Sequence, residues 1–267
     1  MIALNSMKAS VSTDVNAASN LLTKLSHDIW DNPELAFEEE HASSVCIDAL
    51  SDAGFKITTG VSGLETAFVA EYGSGPLTVG ICSEMDALPG VGHACGHNMI
   101  AAAGVGAGIG LARIADEAGI TIRVLGTPAE EGGGGKIIML EDGAFDGLHL
   151  AMMVHPSPME SDVFPTLAST GCDYHFHGKS AHSSLAPHEG INAADAVTIA
   201  QVGIGVLRQH LRPGDQVHGI VTDGGDAPNI VPSHSTARYV CRAPSLGELG
   251  SLRSRIDKCF EAGALAT

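Results

Sequence analysis

Three short apolar runs constrain the fold of this chain most: LTVGICSEMD (77–86), ITIRVLGTPAEE (120–131) and LHLAMMVHP (148–156). Each is aliphatic and bounded by Gly or Pro, as strands buried on both faces tend to be. Between the first two, MIAAAGVGAGIGLARIADEAG (99–119) reads as a helix of small residues ending at Gly119. The alternation strand, helix, strand, helix, strand implies an α/β sheet with right-handed crossovers. The glycines of GVGAGIG (104–110) fall inside that helix rather than at a strand-to-helix turn. They read as close helix packing, not as a dinucleotide loop. Upstream, residues 17–53 read as helix with a break near Pro33, closing at Gly54.

The pattern changes after about residue 165. TGCDYHFHGKSAH (170–182) alternates like a half-exposed strand, and GINAADAVTIAQVGIGVLRQHL (190–211) reads as an amphipathic helix. VHGIVTDGG and STARYVCRA follow as strands, and LGELGSLRSRIDKCFEAGA (246–264) as a second helix. This order, βαββα, lacks only the last strand of a ferredoxin-like split βαβ unit. Two domains are therefore expected, 1–165 and 166–267, the second incomplete at its C-terminal end.

Composition narrows the function. At 267 residues, 44% of them hydrophobic, the chain is long enough and apolar enough for ample core. Its formal net charge of −17 argues against nucleic acid or an anionic membrane as partner. No stretch of ~18 apolar residues is present to span a bilayer. The N-terminus lacks the basic and apolar regions of a signal peptide, so a cytoplasmic protein is expected. Its six cysteines are scattered, and Cys95 has no second cysteine at CxxC spacing, which argues against thiol redox chemistry.

All three apolar runs end in residues suited to metal chemistry: Asp86, the pair Glu130 and Glu131, and His155. Ligands of open α/β sheets bind outside the carboxyl ends of the strands. GVGHACGHNMI (90–100), which holds His93, Cys95 and His97, follows the first of these ends and enters the next helix. Cys95, His97, Glu131 and His155 can therefore converge. Thiolate, imidazole and carboxylate together suit zinc, with manganese as the alternative. Cys95 and His97 are two apart and could point to one side of an extended segment. Adjacent glutamates at a strand end should point apart, leaving one to bind metal and the other free as a general base toward water. The glycines at 132–135 would let substrate approach that base.

DALPGVGHACGHN, GTPAEEGGGGK, MMVHP, GKSAHSS and APNIVP occur together, in this order, in a known family. The chain resembles the dinuclear metallopeptidases and amidohydrolases related to aminoacylase-1, carboxypeptidase G and the indole-acetyl-amino-acid hydrolases. Within them it is most similar to the p-aminobenzoyl-glutamate hydrolase and β-alanyl-lysine dipeptidase type. The likeness runs from IWDNPELAFEEEHA onward. It implies a mixed-sheet, zinc-peptidase-like catalytic domain with helices on both faces, and a ferredoxin-like α+β lid domain that forms a homodimer. It also implies two divalent metal ions and hydrolysis of amide bonds in small N-acyl amino acids or dipeptides. By resemblance Cys95, His97, Glu131 and His155 are metal ligands, Glu130 is the catalytic base, and Asp86 orients a ligand from behind. His182 would stabilise the oxyanion in the partner's site, and Asn229 and Arg242 would grip a substrate carboxylate. Asn98 stands where many members carry an aspartate. Chains of this family run on for roughly a hundred residues more, with a final histidine ligand. The present chain is thus expected to be truncated, with a non-catalytic metal-binding or dimerisation remnant as the alternative to an active hydrolase.

Overall fold

A computed structural model describes residues 2–161 and 166–267. The chain divides into two compact units, Met1–Glu160 and Ser161–Thr267. The boundary expected at 165 lies at the edge of residues 162–165, outside the described residues.

The first unit runs α1 (Ile2–Ala17), α2 (Ser19–Asp31), α3 (Glu40–Asp52), β1 (Lys56–Thr59), β2 (Phe68–Tyr72), β3 (Leu77–Ser83), α4 (His97–Ala112), α5 (Ala115–Ala118), β4 (Ile120–Gly126), α6 (Gly135–Glu141) and β5 (Leu150–Met152). The sheet order is β1-β2-β4-β3-β5. β3, lying between β4 and β5, is parallel to both, whereas β2 runs antiparallel to β1 and β4. The sheet is mixed.

Both faces of β3 and β4 are covered, which is why these parallel strands read as continuous apolar runs, whereas the three residues of β5 are exposed. On β4, Ile122 and Val124 belong to the cluster shared with α2, α3 and α4, while the next residue, Leu125, packs on the other face with Met139 of α6. Small residues let α4 lie close to its neighbours. A Cβ at Gly108 would stand 2.7 Å from Val124 Cγ2, and one at Gly110 would stand 2.7 Å from Val15 Cγ2 of α1. The glycine-rich stretch is therefore helix packing, as its position within the helix implied. The helix expected over 99–119 breaks at Arg113–Ile114, and Gly119 caps the short α5 in the left-handed conformation.

The second unit runs β6 (Ala168–His177), α7 (Ala193–Leu207), β7 (Gln216–Asp223), β8 (His234–Ala243) and α8 (Leu246–Ala266). Its sheet has the order β6-β8-β7, antiparallel throughout. This is the βαββα unit read from the sequence. Side chains of β6 alternate between half-buried and exposed, and its inner row packs under α8, with the Tyr174 ring stacked 3.6 Å from that of Phe260. Both long helices start on side-chain caps: Asn192 accepts from the amides of Ala194 and Asp195, and Ser245 from that of Glu248. No helix among the described residues is long and apolar enough to cross a membrane.

Candidate metal centre

Beyond the end of β3, Glu84, Met85, Asp86 and Ala87 remain buried. The chain then turns through Leu88–Gly92 and reaches Cys95. His97 is the first residue of α4, and Gly96 before it is left-handed at φ +86. An extended segment was expected to carry Cys95 and His97 on one side. Instead the left-handed glycine folds the two toward each other at a helix N-terminus, a conformation that glycine adopts without steric cost. His93, from the same stretch, is buried but lies outside both ligand groups described below.

His97 is fully buried, and its Nδ1–H donates to Asp86 Oδ1 at 3.0 Å. Asp86 Oδ2 accepts the Glu131 amide at 2.8 Å. Burial alone would raise the Asp86 carboxyl, but the bonds from His97 and the Glu131 amide hold it below the ordinary range. His97 moves the other way: burial would lower it, yet Asp86, Glu84 and Glu131 raise it overall.

Glu130 and Glu131 lie past the end of β4, in a turn where Ala129 has a positive φ of 58°. Buried Glu39 holds this turn by accepting the Ala129 amide at 2.8 Å, the Phe37 amide at 3.0 Å and the Thr66 hydroxyl at 2.8 Å. The two glutamates do not point apart as a strand end would make them. Glu130 Oε2 is 3.9 Å and Glu131 Oε1 3.8 Å from His97 Nε2, because the turn replaces the strand alternation. Glu130 is the more exposed of the two, at 43% against 21%. Burial, then the neighbouring Glu84 charge, raises the Glu130 carboxyl, against the pull of Lys136.

Cys95 Sγ lies 3.6 Å from His155 Nε2 and also neighbours Glu131. The Pro156 carbonyl accepts a hydrogen bond from His155 Nδ1 at 2.8 Å, so that nitrogen carries the proton. Two overlapping groups result, Cys95–His97–His155 and His97–Glu130–Glu131, each with its ligand atoms within 4.8 Å of one another. All four residues expected as ligands, and the expected base, thus converge on His97.

The donor set fits divalent metal. With Nδ1–H committed to Asp86, neutral His97 presents a lone pair at Nε2 toward carboxylate oxygens. Both His97 Nε2 and Glu131 Oε1 are buried without a hydrogen-bond partner. Buried acceptors facing one another are costly unless a cation lies among them. Glu84 also takes part, and the strand-end reading missed it: its Oε2 lies 3.4 Å from His97 Nε2. A signal was available, since Glu84 is two residues before Asp86 and so on the same side of an extended chain.

In the second unit, His182 is bridged to Ile230, and the Ser183 amide donates to the Asn229 carbonyl at 3.1 Å. His182 and Asn229 are therefore close, and both are exposed. Arg242 is exposed near the far end of β8. That is eight residues past His234, or about 26 Å at the usual strand rise. Within one chain the structure does not bring Arg242 to Asn229.

Residues 168–267 match the family model of the M20 peptidase dimerisation domain. Over 99% of this chain, the sequence is 41% identical to the Xaa-Arg dipeptidase of Mus musculus, covering 64% of that protein. Over 95% of the chain it is 33% identical to a p-aminobenzoyl-glutamate hydrolase chain of Escherichia coli K12, covering 57% of it. The second unit is thus an M20-type peptidase dimerisation domain, and the chain is similar to these relatives along its length. It spans less than two thirds of the length of these curated relatives. Among solved M20 structures, a Bacillus subtilis protein described as a dinuclear metal binding peptidase superposes with a TM-score of 0.68. That match covers 94% of this chain and 71% of the other at 21% identity, a likeness of fold.

Proposed function

We propose that this chain carries the metal centre and the dimerisation unit of an amidohydrolase acting on small N-acyl amino acids or dipeptides. The observation that carries the reading is the pair of ligand groups sharing His97, with a more exposed glutamate at their edge. Relatives named as a dipeptidase and an aminobenzoyl-glutamate hydrolase support the substrate class.

Cys95, His97, Glu131 and His155 would hold two divalent ions, zinc first and manganese second by their thiolate and imidazole content. Once bound, the ions would supply Lewis acidity toward the scissile carbonyl and lower the pKa of a water. Glu130 Oε2 takes the proton from the attacking water and returns it to the leaving amine; its raised carboxyl suits both transfers. Asp86 holds the His97 tautomer throughout. His182 is the donor to the developing oxyanion, reached in a homodimer formed through the second unit. Asn229 and Arg242 serve substrate carboxylates from separate ends of the lid sheet. All six cysteines are free, in keeping with a cytoplasmic setting.

The test is elemental analysis of the purified chain, with size-exclusion chromatography and a hydrolysis screen of Xaa-Arg dipeptides and N-acyl amino acids, including p-aminobenzoyl-glutamate. Metal bound in proportion to protein, a dimer, and chelator-sensitive hydrolysis of one substrate class are expected. A monomer that retains no metal after zinc loading would overturn the reading.

A further inference from the structure

Glu84 is only 2% exposed, immediately after the last residue of β3. Burying a carboxylate costs several kcal/mol unless charges and hydrogen bonds compensate it. Only half of Glu84 is compensated. Its Oε1 contacts the Lys136 ammonium, which reaches in from the first turn of α6. Its Oε2 is buried, lacks a hydrogen-bond partner, and stands 3.4 Å from His97 Nε2. That nitrogen has no hydrogen-bond partner either, while Nδ1 is held by Asp86. With His97 in the neutral form that a metal ligand must take, two lone pairs face each other at the separation that two donors adopt on one tetrahedral ion with bonds of about 2.1 Å. Glu131 Oε1, the third such unpartnered atom, is 3.8 Å from the same nitrogen.

We infer that Glu84 is a further metal-facing carboxylate of this centre and that Lys136 is the cation that competes with the ion for its charge. The inference rests on the metal reading above and adds a donor to it. Lys136 contacts one oxygen and leaves the other facing His97. The pair also sets the charge of the site, since Lys136 offsets one of the three glutamates gathered around His97 Nε2. Two residues before Asp86 on an extended segment, Glu84 approaches His97 from the Nε2 side while Asp86 holds Nδ1.

The test measures Zn2+ and Mn2+ dissociation constants by chelator competition on the full chain, with thermal melts as a control for folding. Glu84→Gln keeps the shape and removes the donor charge, so its Kd should rise on the order of 10–100-fold. Lys136→Met leaves the carboxylate and removes the competing cation, so its Kd should fall on the order of several-fold. A simple structural strut would instead make both variants bind more weakly together. The inference is overturned if Glu84→Gln binds as wild type does, or if Lys136→Met binds equally or less tightly. Should Glu84→Gln fail to fold, the Lys136→Met result decides alone. Wild type that binds neither ion would overturn the metal centre itself, whereas tight wild-type binding with an indifferent Glu84→Gln removes this inference only.

Discussion

Asp86 ties His97 to the glutamate turn: one of its oxygens lies 3.0 Å from His97 Nδ1 and the other receives the Glu131 amide at 2.8 Å. A single buried carboxylate thus sets the tautomer of one candidate ligand and the backbone position of another. Asp86→Asn should weaken metal binding on the order of 10–100-fold, as changes behind a ligand do. The amide can no longer accept from both partners with full charge, and His97 is free to present the wrong nitrogen. Chelator competition with Zn2+ checks this. Unchanged affinity in a variant that melts normally would detach Asp86 from the site.

Glu130 and Glu131 should separate on mutation even though both approach the same His97 nitrogen. Glu131 Oε1 is buried without a partner, whereas the Glu130 side chain is 43% exposed. Glu131→Gln is expected to lose metal. Glu130→Gln should keep it while hydrolysis falls by about 10²–10⁴-fold, the usual contribution of a general base. Metal content and turnover measured on the same preparations decide between the roles. Equal metal loss in both would end the division of labour.

Much of this was legible because burial on two faces leaves a plain mark on a sequence. β3 and β4 were visible in this way, β5 as an apolar run although its residues are exposed, and Asp86, Glu130, Glu131 and His155 as the polar residues that end the runs. β1 and β2 were not, since β1 is four mostly exposed residues whose only half-buried side chain is Ile57. Helix α1 was missed because its half-buried stripe, Met7, Ser10, Val11, Asp14 and Val15, is interrupted by the polar Ser10 and Asp14. Glu84 escaped although its spacing of two from Asp86 hinted at it, because its partner Lys136 is 52 residues away in the sequence. The separation of Arg242 from Asn229 could not be read either. Their spacing in sequence does not say that a strand carries one of them away from the other.

The glycines of α4 give a prediction about stability rather than chemistry. Gly108→Ala would add a methyl 2.7 Å from Val124 Cγ2 and 3.4 Å from Leu50 Cδ2 and the Phe55 ring. Alanine gains about 1 kcal/mol of helix propensity over glycine. Overpacking a tight core costs typically about 1–3 kcal/mol, so the net effect should be a loss. Thermal melting should show a lower Tm for Gly108→Ala. Ala should be tolerated at Gly247, where a Cβ meets nothing within 4 Å. A raised Tm for Gly108→Ala would mean that α4 is not held as closely as its glycines allow.

Metal affinity should depend steeply on pH, in a direction that the metal-free site fixes. Burial pushes the Cys95 thiol up to about 12, and Glu131, Glu130 and Glu84 add to the rise. Without metal, Cys95 is therefore a neutral thiol throughout the usable range. His97 is raised above its ordinary value, so it is protonated over more of that range than a free histidine. Binding must displace both protons, because thiolate and neutral imidazole are the ligating forms. Each displaced proton weakens binding about tenfold per pH unit of acidification. The thiol contributes at every accessible pH, and His97 adds a second proton only below its raised pKa. The slope of log Kd against pH should then be near one at the alkaline end and steepen as the solution is acidified. Calorimetry in buffers of different ionisation enthalpy counts the protons directly, and Cys95→Ser should remove the persistent one. A flat profile, or one that Cys95→Ser leaves unaltered, would mean that the thiol does not meet the ion.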